Sequence, residues 1–124
     1  MAWTLDSDRP IYAQLEERIK TDIVSGVYGP GTRLPSVREL ALSAAVNPNT
    51  MQKAFADLER TGLIITMRTS GRVVTEDTAM IKQTRLELAQ QQVDQFLTRM
   101  RRLGFTPAEI IQLLSDRKGG KGYE

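Results

Sequence analysis

Apolar positions fall into a few distinct periodicities along this chain. Ile11, Leu15, Ile19 and Ile23 recur every fourth residue, which predicts one apolar stripe on a helix from about Pro10 to Ser25. Pro10 suits the first turn and Gly26 the position just past the end. The stretch GVYGPGTRLP then turns the chain, because Gly29-Pro30-Gly31 cannot continue a helix. Ser36 with Glu39 three residues later is a capping-box pattern. It opens a short second helix with Val37, Leu40, Ala41 and Ala44 inside, ending near Ala44 or Ala45. Asn47 is a good N-cap with Pro48 at the first helical position, and the third helix runs to about Thr61 and stops at Gly62. Its buried side is Met51, Ala54, Phe55 and Leu58. Two β-branched runs, Leu63–Met67 and Arg72–Thr75, flank a loop of Arg68 to Gly71 and predict a hairpin. Three short helices, the last two joined by a tight turn, followed by a hairpin, read as a winged helix-turn-helix.

The remaining pattern is longer. Ala79, Lys82, Leu86, Ala89, Val93, Phe96, Met100 and Leu103 alternate spacings of three and four, the seam of a coiled coil weakened at Lys82. Gly104 ends that helix, and Thr106 with Glu109 caps another, with Pro107 in first position and Ile110, Ile111, Leu113 and Leu114 on its apolar face. Two arrangements would cover the long stripe: a helical hairpin folded back on the first domain, or a second copy of the chain. The second is expected, with Leu86, Val93, Phe96, Met100 and Leu103 as the dimerisation seam, because little else in the chain is left to cover the stripe. The expected architecture is mainly α with a small β hairpin. It comprises a winged helix-turn-helix over 1–76 and a two-helix dimerisation segment over 77–124, in which residues 115–124 form a loose terminus.

Composition matters mainly by exclusion. A chain of 124 residues forms one modest domain with an appendage. It has no cysteine and no histidine, which removes disulfides, thiolate metal sites and the commonest general base. No paired carboxylates or nucleophile elbow stand out either, so an enzyme, a metal site and a cofactor are not expected. No run approaches a membrane span and no signal-peptide layout opens the chain, so a cytoplasmic location without membrane contact is expected. Net charge is +2, and residues 1–76 hold nine basic and nine acidic side chains, so any polyanion partner must be argued from placement.

Placement is informative on the third helix. Opposite its apolar stripe lie Asn49, Gln52, Lys53, Ala56 and Arg60. Asn and Gln can bond both edges of adenine in the major groove, and a small methyl can pack on thymine. The helix N-terminus suits phosphate. A solvated polar face with a capping Asn is the plainer reading of this helix alone, but the second helix and the hairpin around it favour double-stranded DNA.

Four blocks, LPSVRELA, VNPNTMQKAF, LERTGLI and the hairpin ending VVT, resemble the N-terminal DNA-binding domain of GntR-family bacterial regulators, over about Pro10 to Thr75. The short tail resembles the YtrA subfamily, and 124 residues leave no room for the effector-binding or aminotransferase-like domain of larger relatives. The resemblance implies a DNA-contacting arginine at Arg38; the plainer reading pairs Arg38 with Glu39 or Asp57. Arg33, Arg68 and Arg72 flank the same face as candidate phosphate contacts. With the caps Ser36 and Asn47, Thr50 at the helix start and Gly71 in the wing, the candidate DNA-binding set is Arg33, Ser36, Arg38, Asn47, Asn49, Thr50, Gln52, Lys53, Arg68, Gly71 and Arg72. The family wing has glycine where this chain has Thr69 and an aromatic where it has Val73, so an altered wing tip is expected. The implied function is a homodimeric transcription regulator, a repressor, on a palindromic operator. A winged-helix adaptor for another protein is the alternative; its mark would be apolar residues on the outer face of the third helix, which here is polar. No motif for a small-molecule effector stands out.

Overall fold

The computed structural model describes residues 3–117. Helices α1 (Ile11–Val24), α2 (Val37–Ala44) and α3 (Pro48–Thr61) are followed by strands β1 (Ile64–Met67) and β2 (Gly71–Val74), then by α4 (Thr78–Arg102) and α5 (Pro107–Asp116). The chain divides into two compact units, Met1–Glu87 and Leu88–Glu124.

In the first unit α1 lacks a side-chain cap at Pro10. The chain before it is held instead by Gln14, which is buried although polar. Its amide oxygen accepts from the Asp6 N–H at 2.7 Å, and its amide nitrogen donates to the carbonyls of Asp6 at 2.8 Å and Arg9 at 3.2 Å. Helix α2 has its capping box: Ser36 Oγ accepts from Glu39 N at 3.0 Å, and Glu39 Oε1 accepts from Ser36 N at 2.8 Å. It ends on Ala45, whose φ of 60° and ψ of 48° put it in the left-handed region. Helix α3 starts on Asn47, whose Oδ1 accepts from Asn49 N at 2.7 Å, and ends at Gly62 with φ 89°.

The core is one cluster. Leu15, Ile19 and Ile23 of α1 meet Met51, Ala54, Phe55 and Leu58 of α3, with Leu40, Ala41 and Ala44 of α2 and Leu34, Leu63, Ile64 and Val74 around them. Val37 and Ile11 are only partly buried at its margin. Phe55, Met51, Ala54 and Leu58 have no exposed surface at all, so the apolar stripe of α3 is completely covered within the chain.

The hairpin is antiparallel, pairing Ile64 with Val74, Ile65 with Val73, Thr66 with Arg72 and Met67 with Gly71. Gly71 therefore belongs to β2 and not to the loop, which is Arg68 to Ser70. Gly71 takes φ 77°, and Ala45 is the only described non-glycine residue with positive φ, so Thr69 is spared that region. The substituted wing turns by using the glycine that remains. The stretch expected to be only a turn also joins the sheet. Val74 N donates to Thr32 O, Leu34 N to Arg72 O and Gly31 N to Val74 O, each at 2.9 Å, with a bridge between Arg33 and Val73.

Helix α4 packs against the first unit's core through the partly buried Met80 and Ile81, whereas Ala79 and Lys82, the first expected seam positions, are exposed. In the second unit α4 ends at Gly104 with φ 93°, and Phe105 N donates to Met100 O at 3.2 Å, a Schellman-type stop. Thr106 and Glu109 then form the second capping box. Ser115 and Asp116, expected in the loose terminus, are helical; residues 118–124 of that terminus lie outside the described residues.

Candidate nucleic-acid interface

The candidate surface is assembled by the covered stripe of α3. Because Met51, Ala54, Phe55 and Leu58 are wholly buried, a periodicity of 3.6 turns Asn49, Gln52, Lys53, Ala56 and Arg60 outward, and all five are exposed. Thr50 is half-buried at the helix start. Within this face Ala56 is a methyl between amides and cations, so the backbone lies near the surface. Asn49 and Gln52 have no hydrogen-bond partner for their side chains among the described contacts, which leaves both amides able to read a base edge.

The cations differ in how they are held. Lys53 lies with its ammonium 3.9 Å from the centre of the Tyr12 ring on α1, a cation–π contact that draws it toward the α1 side. Arg60 pairs with Asp57 at 2.7 Å. Arg38, exposed at the second position of α2, pairs with neither Glu39 nor Asp57, since Glu39 is engaged in the capping box and Asp57 holds Arg60. A cation in the first turn of a helix is unfavourable to the helix dipole, and among the described residues no ion pair offsets it.

Arg33 and Gly71 come close through the added rung: a side chain at position 71 would begin 3.9 Å from Arg33 Nε. Arg33 also lies near enough to Glu39 to favour its ionised form. The Glu39 carboxyl is held below its usual range first by the hydrogen bond from the Ser36 backbone, then by the Ser36 side chain, with Arg33 contributing less. Arg68 is exposed in the hairpin turn. Arg72 behaves otherwise. Its side chain is 27 % exposed, and its Nε sits 3.4 Å from Glu59 Oε1, so the structure turns it inward onto α3. Ser36 and Asn47 are likewise occupied, each with its side-chain oxygen on a helix N-terminus.

Three residues outside the candidate set shape this surface: Tyr12 under Lys53, Glu59 beside Arg72, and Thr66, whose hydroxyl donates to Glu59 Oε2. The sequence held no local signal for them, because each contact joins elements whose juxtaposition only the fold supplies.

Among the described residues no group of side chains could hold a metal ion and no helix is long and apolar enough to cross a membrane. The sequence pattern of the bacterial regulatory proteins of the gntR family matches residues 11–74, which spans all three helices and the hairpin. The chain is 34% identical over 120 residues to the HTH-type transcriptional repressor YtrA of Bacillus subtilis, covering 93% of this chain and 92% of that protein. Among solved structures it is similar to a GntR family transcriptional regulator from Listeria monocytogenes, with a TM-score of 0.80, 41% identity and coverage of 90% and 98% of the two chains. It is also similar to the DNA-binding domain of AraR in complex with operator ORE1, at a TM-score of 0.52 and 31% identity over 60% of this chain and 94% of that one. These relatives are transcription regulators and not enzymes. A winged helix-turn-helix with a polar reading face, a matching family pattern and a YtrA-type relative along nearly its whole length together show that the chain belongs to the GntR family of bacterial transcription regulators, in its YtrA-like branch.

Proposed function

We propose that the chain is a cytoplasmic repressor that binds a palindromic operator as a homodimer. Each α3 enters one major groove, with Asn49 and Gln52 reading base edges and Ala56 allowing close approach. Arg33, Arg38, Lys53 and Arg68 neutralise phosphates around it, and the capped start of α3, organised by Asn47 with Thr50, faces the backbone. Two-fold symmetry sets the half-sites about one helical turn apart, roughly 10 bp. The seam joining two copies is Leu86, Val93, Phe96, Met100 and Leu103. Repression follows from occupying a promoter.

The observation that carries this reading is the outer face of α3: two unpartnered carboxamides, a methyl and cations, over a stripe with no exposed surface. An adaptor for another protein would present apolar groups there. The repressor name of the B. subtilis relative and the operator in the AraR complex support the same reading.

The test uses an operator obtained by selecting bound fragments from genomic DNA. Asn49→Ala and Gln52→Ala are each expected to weaken operator binding by about 1–3 kcal/mol while leaving binding to unrelated duplex nearly unchanged. If both variants bind the operator as the parent does, α3 is not the reader. Binding to bulk duplex separates the adaptor alternative, since a DNA reader loses that binding steeply as salt rises.

A further inference from the structure

The wing is gripped from α3 by a single carboxylate. Glu59, in the last turn of α3, places Oε1 3.4 Å from Arg72 Nε, while Oε2 accepts from the Thr66 hydroxyl. Thr66 and Arg72 are direct cross-strand partners, so one side chain of α3 holds both strands at one rung. Strand faces alternate with a period of two. Ile64 opposite Val74 is therefore on the same face as Thr66 opposite Arg72, two residues on. That face meets the body of the domain: Ile64 and Val74 enter the core, and beyond them the contact becomes polar at Glu59. The Arg72 guanidinium carbon also lies 5.2 Å from the centre of the Phe55 ring, deep in the core. Its Nε is buried and makes no hydrogen bond, so the Glu59 charge is its compensation. The opposite face of the hairpin is open, with Ile65 42% and Met67 46% exposed. A two-stranded hairpin is marginal by itself.

We infer that Glu59 and Arg72 form a tether that fixes the wing against the recognition helix, and that Arg72 is a positioning residue and not a phosphate contact. The tether sets where Arg68, at the wing turn, and Arg33, on the adjoining rung, meet the DNA backbone. The inference rests on the DNA reading proposed above, but its first test does not.

That first test is amide hydrogen exchange on the full chain without DNA. Glu59→Gln, Arg72→Gln and Thr66→Val should each speed exchange of the hydrogen-bonded wing amides by about tenfold, with α1 amides unchanged, as expected for loss of one coupled polar contact. Thr66→Val keeps the branched shape and alters no charge, so it also covers the event that a charge change unfolds the domain. Unaltered wing exchange in all three overturns the tether.

The second test measures affinity for bulk duplex DNA against salt. Glu59→Gln has opposite signs under the two readings. Removing a negative charge beside a DNA-facing surface strengthens binding if Glu59 is only a charge, and weakens it about tenfold if Glu59 holds the wing. Glu59→Gln, Arg72→Gln and the double variant should lose the same affinity, because each breaks one contact, and the salt slope should stay that of the parent. Arg68→Gln should lower the slope by about one. Tighter binding of Glu59→Gln, multiplicative losses in the double variant, or a slope lowered by about one in Arg72→Gln would each overturn the assignment. If the parent binds no DNA while wing exchange still responds, the tether stands and the DNA reading is the one that fails.

Discussion

Helices α3 and α4 begin from the same kind of pattern and end differently. Both carry an apolar stripe at helical spacing. On α3 that stripe has no exposed surface, since α1, α2 and the hairpin cover it. On α4 no residue is buried, and Leu86, Val93 and Leu103 remain 50%, 53% and 72% exposed. Periodicity states that a face must be covered; it does not state what covers it. The α3 stripe is satisfied by its own chain, whereas in the proposed seam Phe96 and Met100 are half-buried and the other three residues are exposed. The contrast predicts that equally disruptive substitutions will have different consequences on the two helices.

The largest effect is expected on α3. Phe55→Ala removes a fully buried ring and should cost about 3–5 kcal/mol, a large part of the stability of a small domain. The variant should lose the cooperative thermal transition, or show it shifted far down, by circular dichroism. A shift of only a few degrees would mean that Phe55 is not the keystone its burial implies.

The matching change on α4 should leave the fold intact and alter only assembly. Val93→Asp with Phe96→Asp places carboxylates in a seam that is desolvated in a dimer, where an unpaired charge is costly. The double variant should sediment as a monomer at micromolar concentration and keep the thermal transition of the winged domain. Its affinity for a full palindrome should fall toward that for one half-site, because the second domain's effective concentration is lost. A variant that stays dimeric places the seam elsewhere. One that unfolds altogether would show the stripe to be intramolecular core, and the contrast between the two helices would collapse.

The two capping boxes sharpen the comparison further. Ser36 with Glu39 and Thr106 with Glu109 share one geometry in different units. Ser36→Ala should cost about 1 kcal/mol, lowering the melting temperature of the winged domain by roughly 4–8 °C, whereas Thr106→Ala should not move that transition. The Ser36 box also has a pH signature. The Glu39 carboxyl lies below its usual range because of its bond from the Ser36 backbone, so its folded pKa is depressed relative to the unfolded one. The stabilisation is therefore present at neutral pH and lost as pH falls through the folded value. Melting the parent and Glu39→Gln across the acid range should show the gap between them closing as Glu39 protonates, because the amide cannot titrate.

These particulars explain how much of the molecule was legible in the chain. Local signals were reliable: Ser36 and Glu39, Asn47, Gly62 and Gly104 each act through hydrogen bonds a few residues away, Pro48 acts through its fixed φ, and each appears where its type predicts. The covered face of α3 was legible too, because four residues at helical spacing admit one inward direction. What was not legible involved contacts between distant segments. The rung from Arg33 to Val73 joins positions forty apart, and the Glu59 clasp depends on a register that pairs Thr66 with Arg72. Lys53 was visible as a cation, but Tyr12 beneath it was not. The same holds for Met80 and Ile81, which pack against the core although the seam pattern begins at Ala79 and Lys82.

The smallest expected effect turns on two helix ends built alike. At the end of α2, Ala45 N donates to Leu42 O at 3.2 Å and Val46 N to Ala41 O at 3.0 Å. At the end of α4, Gly104 N donates to Arg101 O at 2.9 Å and Phe105 N to Met100 O at 3.2 Å. Both stops need a left-handed residue, which is a glycine at φ 93° in the tail and an alanine at φ 60° in the winged domain. An alanine there brings its Cβ against the following carbonyl, at a cost of roughly 1–2 kcal/mol. Glycine removes that strain but gives the unfolded chain more freedom, which returns about 0.5–1 kcal/mol. Ala45 is exposed, so no packing is lost with its methyl. Ala45→Gly should therefore stabilise the winged domain by about 0.5–1 kcal/mol, a rise of a few degrees in melting temperature. Gly104→Ala should act in the opposite sense on the tail, weakening the turn into α5 and with it the proposed dimer, read by sedimentation. If Ala45→Gly instead lowers the melting temperature, the turn between α2 and α3 depends on alanine's restriction of the unfolded chain more than it suffers from strain. The two helix ends would then be alike in geometry but not in energy.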